Sequence, residues 1–170
     1  ISGYAFSGCI SLSKVDLKIA KTIGASAFSD CTSLNTVDLR TVETISSEAF
    51  SGCISLSKVD LKIAKTIGAS AFSGCISLTE VNLRNVTQIG EGAFSDCDNL
   101  IEVDLSNIES ADAIGKNAFK GSGVRSVILP EANNEEKERI VIGIKDKISR
   151  QLSEINFKND PTVVKYQVIV

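Results

Sequence analysis

The stretch AFSGCISLSKVDLKIAKTIGASAF runs from Ala5 to Phe28, and the same letters return from Ala49 to Phe72. Its opening pair, Ala5-Phe6, recurs as Ala27-Phe28, Ala49-Phe50, Ala71-Phe72 and Ala93-Phe94, each 22 residues after the last. A sixth pair, Ala118-Phe119, follows after 25. The three extra residues fall around Ser110, Ala111 and Asp112, where an insertion is expected to bulge outward as a loop. A fixed period in this range means stacked structural units, each too small to bury its own apolar face. Copying a two-coil unit whole is tolerated where each coil contacts only its neighbours.

Within each period the apolar residues fall as LxxVxL: Leu12, Val15 and Leu17, then Leu34, Val37 and Leu39, with three further full copies and a degenerate sixth at Val124, Val127 and Leu129. The VxL part alternates as a half-buried strand does, and Asp16, Asp38, Asp60, Asn82 and Asp104 point away from the flanking Val and Leu. One short strand per coil follows, and stacked coils pair these strands into a parallel sheet at about 4.8 Å spacing. A second apolar set, including Ile23, Ile45, Ile67 and Ile89, leads to the next Ala-Phe pair and forms the outer wall. Gly24, Gly68, Gly90 and Gly115 sit just after an isoleucine, where positive φ or close backbone approach would require glycine, although Ser46 occupies the same column. Six of the seven phenylalanines share one column, which reads as an internal aromatic spine in preference to a ligand platform.

These landmarks resemble the repeat of the BspA-like, or Treponema-type, leucine-rich-repeat proteins: Ala-Phe, a Cys, LxxVxL, then Ile-Gly before the next Ala-Phe. The likeness covers about residues 4 to 129. It implies a right-handed leucine-rich-repeat solenoid, an α/β repeat fold with its parallel β-sheet on the concave face. It also implies a bacterial or protist surface protein engaged in adhesion to host proteins or other cells. The proline often seen after the strand in that family is absent except at Pro130, and residues 131–170 match no part of the repeat.

Chemistry of other kinds is poorly supplied. The chain has 170 residues, 43% hydrophobic, enough for one domain with a core, and a net charge of -3 gives no footprint for nucleic acid. No apolar run approaches the ~18 residues needed to cross a bilayer. The chain opens mid-repeat without methionine, so it reads as a piece of a longer protein whose signal and anchor lie elsewhere. Cys9, Cys31, Cys53, Cys75 and Cys97 occupy one position per coil. A column spreads its members along a line, which suits neither crossed disulfide geometry nor ligands converging on zinc, and these read as reduced, shielded thiols. The absence of histidine removes Ser-His and Cys-His nucleophile pairs. Carboxylates in the Asp column could stand near ~5 Å, as in retaining glycosidases, or hold calcium at the sheet edge. Lys18, Arg40, Lys62 and Arg84 match them on the same open face, so a self-neutralising charge ladder explains the column better. No cofactor is implied, and no enzyme.

After Pro130 the pattern changes. Asn133 with Glu136 suits a helix start, and Ile140, Ile144, Ile148, Leu152 and Ile155 keep helical spacing, although Ile140-Val141-Ile142-Gly143-Ile144 would also suit a strand. The spacing predicts a helix over about 134–155 and, after Asn159-Asp160-Pro161, a closing strand over about 162–170. Residues 1–130 then form the solenoid and 131–170 a capping segment. The function expected is a protein-binding or adhesion module of an extracellular or cell-surface protein; a structural spacer, favoured by near-identical repeats, is the alternative. Repeat symmetry breaks toward the C-terminal half, where Lys14, Thr36 and Lys58 give way to Glu80 and Glu102, and the basic column ends in Ser106. The expected contact residues are Lys58, Asp60, Lys62, Glu80, Asn82, Arg84, Glu102 and Asp104, outward positions that line up across coils.

Overall fold

The computed structural model describes residues 1–153 and 165–168. Each of the first four coils contributes two short strands, and the fifth and sixth contribute one each. The LxxVxL strands are β1 (Lys14–Val15), β3 (Thr36–Val37), β5 (Lys58–Asp60), β7 (Glu80–Asn82), β9 (Glu102–Asp104) and β10 (Ser126–Leu129). The outer-wall strands are β2 (Thr22–Ile23), β4 (Thr44–Ile45), β6 (Thr66–Ile67) and β8 (Gln88–Ile89). All pairings are parallel: Val15 lies opposite Val37, Val59 opposite Val81, and Ile23, Ile45, Ile67 and Ile89 follow one another on the wall. The period in sequence thus becomes register in space, and the result is a right-handed parallel solenoid whose LxxVxL strands make the concave side in two ladders, one running β1-β3-β5-β7 and one beginning with β9 and β10, with β7 and β9 adjacent but not hydrogen-bonded as a pair.

Columns of equivalent residues fill the interior. Leu34, Leu56, Leu78 and Leu100 are fully buried, as are Phe28, Phe50, Phe72, Phe94 and Phe119. The rings of Phe6 through Phe119 stack with centroids 5.2 to 5.6 Å apart and interplanar angles of 5 to 7°. This spine is core, with Phe6 at its solvent-facing end. Backbone hydrogen bonds run with it: Phe28 N donates to Ala49 O, Phe50 N to Ala71 O and Phe72 N to Ala93 O, each at 2.8 Å.

The glycine after each isoleucine answers to space alone. A Cβ on Gly68 would stand 2.5 Å from the Ser46 carbonyl carbon, and one on Gly90 2.5 Å from that of Gly68. Positive φ falls at two other columns. Ser26, Glu48, Ser70 and Gly92 adopt it before Ala-Phe, and Asp30, Gly52, Gly74 and Asp96 adopt it before the cysteine. Nothing in the structure explains how Ser46 is accommodated in the close-approach column.

The inserted residues do not simply bulge outward. Ala111–Ala113 form a short 3-10 turn capped by the Ser110 hydroxyl, which accepts from Asp112 N, and Ala113 is buried. This turn is a seat for α1 (Glu135–Ser153), where a Cβ on Gly143 would meet the Ala111 methyl at 3.4 Å. The ambiguous run from Ile140 to Ile144 is helical, because Val141, Ile144, Ile148 and Leu152 make one buried stripe against the solenoid. The N-cap is Asn134, not Asn133: Asn134 Oδ1 accepts from Lys137 N at 2.9 Å. Glu135, Glu136 and Glu138 in the first turn suit the positive end of the helix dipole. The predicted helix residues 154 and 155 lie outside the described residues.

Strand β11 (Lys165–Val168) pairs in parallel with β10, Val127 opposite Tyr166 and Leu129 opposite Val168. It stands where the Val and final Leu of a seventh coil would stand. The tail therefore keeps the repeat's register, contrary to the expectation that it matches no part of it; α1 stands between β10 and β11, where earlier coils have their outer-wall span, and hid the continuity in sequence. Residues 162–164 and 169–170 of the predicted strand lie outside the described residues.

Candidate functional site on the concave sheet

Alternation along each strand sends Val inward and its neighbours outward, so three outward rows cross the coils. In β5, Lys58 and Asp60 are exposed around buried Val59; in β7, Glu80 and Asn82 flank Val81; in β9, Glu102 is exposed and Asp104 half-buried around Val103. Lys62 and Arg84 are exposed just past the ends of β5 and β7. All eight residues proposed from sequence thus lie on one face, with Lys58 opposite Glu80 and Asp60 opposite Asn82 in the ladder.

Two contacts bind these rows across coils. Lys58 Nζ meets Glu80 Oε2 at 2.9 Å, and Asn82 Nδ2 donates to Asp60 Oδ1 at 3.3 Å. Both pairs are exposed, so they contribute little to stability and can be exchanged for contacts to a partner.

The Asp column has a role that its sequence spacing did not disclose. Asp16, Asp38 and Asp104 each accept from the backbone N–H two residues on, those of Lys18, Arg40 and Ser106, at 3.1, 3.1 and 2.9 Å, and Asn82 does the same for Arg84 at 3.2 Å. These are turns closed by a side chain, which end β1, β3, β7 and β9. The Asp-x-Lys/Arg spacing was the available signal. In the first two coils the same carboxylate also takes the cation: Lys18 Nζ lies 2.8 Å from Asp16, and Arg40 grips Asp38 through Nε at 3.0 Å and Nη2 at 2.7 Å. The Arg40 guanidinium holds the Asp38 carboxyl at about 2, and Lys18 lowers that of Asp16. Carboxylates so paired stay ionised at neutral pH, the opposite of the raised acid a glycosidase needs.

Over the first three coils the face deepens into a shallow groove of about 580 Å³ whose lining includes Lys14, Asp16, Lys18, Thr36, Asp38, Arg40, Lys58 and Asp60. Only Lys58 and Asp60 of these were among the residues proposed from sequence. A second groove of about 690 Å³ opens where Arg84, Ser106 and Glu109 face Pro130, Glu131 and Lys137 at the start of α1.

The cysteines lie away from this face and hold the stack together. Cys31, Cys53, Cys75 and Cys97 are buried, and each thiol donates to the phenylalanine carbonyl of the preceding coil: Phe6, Phe28, Phe50 and Phe72, at 3.0 to 3.2 Å. Burial pushes Cys53 and Cys97 up to about 12 and Cys75 well above its ordinary value. Cys9 is exposed, against the expectation that all five are shielded, because no coil packs in front of it among the described residues. Among those residues no three His, Cys, Asp or Glu groups are placed to hold a metal ion.

The sequence matches the BspA type leucine rich repeat region in six copies, over residues 1–125 and 44–168. The chain belongs to the BspA-type leucine-rich-repeat family. The match runs through β11, in agreement with the register of the tail, and no enzyme family is indicated. Two solved structures share the solenoid. A leucine rich cell surface protein of Faecalibacterium prausnitzii is 29% identical with a TM-score of 0.67, over 78% of this chain and 38% of that one. The leucine rich repeat protein of T. pallidum, TpLRR, is 28% identical, also with a TM-score of 0.67, over 96% of this chain and 79% of that one. This chain thus spans well under half of the F. prausnitzii protein. Among curated proteins none matches significantly. No helix among the described residues is long and apolar enough to cross a membrane.

Proposed function

We propose that this BspA-type chain is a non-catalytic binding module of a cell-surface protein, and that it engages a protein partner, in adhesion, through the concave sheet. The observation that carries the reading is the pairing of Lys58 with Glu80 and of Asp60 with Asn82 across β5 and β7, with Glu102 and Asp104 on the neighbouring strand β9. A partner lying across them touches several coils at once. Inward positions are fixed by packing and the outer wall by glycine approach and left-handed turns, so the outward strand positions are where recognition can vary. The kinship with a protein described as a cell surface protein supports the location. A charged, shallow face suits an extended protein surface better than a small molecule, which needs a concave, mostly apolar pocket.

A spacer that holds another domain away from the cell is the second reading, and the identity of residues 5–29 and 49–73 favours it, since a specific site usually breaks repeat symmetry. A photoreactive residue placed at Glu80 on the concave face or at Thr66 on the outer wall separates the two. With surface extracts from candidate partner cells, the binding module cross-links a defined protein from Glu80 and not from Thr66. A spacer gives no defined product from either site.

A further inference from the structure

The outward rows carry a charge order along the solenoid axis. The first and third coils each present two lysines around one aspartate, Lys14 and Lys18 in one and Lys58 and Lys62 in the other. The second and fourth are balanced. The fifth presents Glu102 and Asp104 with Ser106 where the cation stood, so the sign of the face reverses between the first coil and the fifth, beyond which Ser126 and then Lys165 continue the Glu102 row. Glu102 accepts from the Ser126 hydroxyl and Asp104 from Ser106 N–H, neutral donors that leave both charges uncompensated. At the basic end lies the groove of about 580 Å³.

Resting on the concave-face reading, we infer that the occupant is an extended segment of a protein partner lying along the solenoid axis, its carboxylates over the first three coils and its lysines or arginines over the fifth. Four strand spacings separate the first coil from the fifth, about 19 Å. An extended chain covers that distance in about six residues. A uniformly acidic polymer, such as a nucleic acid or an anionic polysaccharide, would be attracted over the first three coils and repelled over the fifth. A segment with its two charge clusters about six residues apart meets both ends at once, and opposed fields of this kind set register and orientation.

The test uses the chain of residues 1–170 and two fluorescein-labelled peptides of identical composition. In one, two glutamates and two lysines are separated by a Gly-Ser spacer; in the other the same charges alternate. At low salt the separated peptide is expected to bind about fivefold tighter, the return on two or so additional exposed ion pairs. The preference is expected to vanish in the double variant Lys14→Glu, Lys58→Glu, whose fold is checked by circular dichroism. Equal affinity for the two peptides, no binding by either, or a preference that survives the double variant overturns the inference. Amide chemical-shift mapping keeps this failure apart from that of the underlying reading. Shifts on β5 and β7 without peptide preference leave the concave site standing and remove the charge order, whereas shifts confined to β4 and β6 remove both.

Discussion

The carboxamide of Gln151 gives Phe119 what a following coil gives the other phenylalanines of the spine. Phe94 N donates to the backbone carbonyl of Ala118 at 2.7 Å; Phe119 N donates to Gln151 Oε1 at 3.1 Å, and Gln151 Nε2 donates to Gly115 O at 3.0 Å. A side chain on α1 thus ends the outer-wall ladder by imitating a peptide bond. Gln151→Leu leaves the buried Phe119 N–H unpaired and the Gly115 carbonyl with only the Ala118 N–H at 3.4 Å, and is expected to cost about 1–3 kcal/mol in urea unfolding. A cost within error of zero would show that water serves both groups equally well.

We read residues 131–170 as the cover of the sixth coil. The buried stripe Val141, Ile144, Ile148 and Leu152 lies on the solenoid, so deleting the segment uncovers apolar surface. The truncated chain is expected to aggregate and to melt lower. A monomeric truncation with an unchanged melting midpoint would contradict this reading.

Thiol chemistry separates the end of the cysteine column from its interior. Native protein is expected to react quickly with one equivalent of a thiol reagent, at Cys9, and denatured protein with all five. Unfolded thiols ionise near 9, whereas burial holds Cys53 and Cys97 at about 12 in the fold. The stability they contribute is therefore complete below about 9 and falls as pH rises from there toward 12. Cys53→Ala is expected to flatten the alkaline loss of the urea midpoint relative to the parent chain. An unchanged slope would place the titration elsewhere.

Two glycines test two different constraints. Gly74 has φ +70° and no atom closer than 3.9 Å to a built Cβ, so Gly74→Ala measures left-handed strain alone, about 1–2 kcal/mol. Gly68 would drive its methyl into the Ser46–Ser47 peptide at 2.5 Å, and Gly68→Ala is expected to cost more than Gly74→Ala. The reverse order in thermal or urea unfolding would mean that the coils separate more readily than their spacing implies.

Phe50 is fully buried between Phe28 and Phe72, and Phe50→Ala is expected to cost about 3–5 kcal/mol. Phe6, 36% exposed with a ring on one side only, is expected to cost distinctly less. Equal costs would mean that stacking does not accumulate along the column.

The solenoid was legible because its signal is repeated: Ala-Phe, Cys and LxxVxL recur together, so one misread coil is corrected by four others. The parts that were not legible are those where a contact occurs once or where backbone decides. Asn134 against Asn133 as N-cap is a choice between identical side chains one residue apart. The seat under α1 depends on Ala111 meeting Gly143, positions 32 residues apart whose letters carry no mutual signal. Tyr166 and Val168 keep the strand pattern, yet the helix between them and Leu129 breaks the 22-residue count that made the other strands visible. On the concave face the outward rows followed from alternation, whereas the closure of a turn by Asp16, Asp38 and Asp104 followed from a hydrogen bond to the backbone two residues on, a local geometry that charge pairing concealed.

Binding through the concave sheet is tested most directly by reversing its charges and measuring affinity for the partner captured by cross-linking. The triple variant Lys62→Glu, Arg84→Glu, Glu102→Lys changes only exposed side chains, so circular dichroism and the melting midpoint should stay close to those of the parent. The concave reading predicts at least a tenfold loss of affinity, about 1.4 kcal/mol, with a weaker dependence on salt in what remains. Affinity unchanged within error, at any ionic strength, would contradict it and move the contact to the outer wall or the tail.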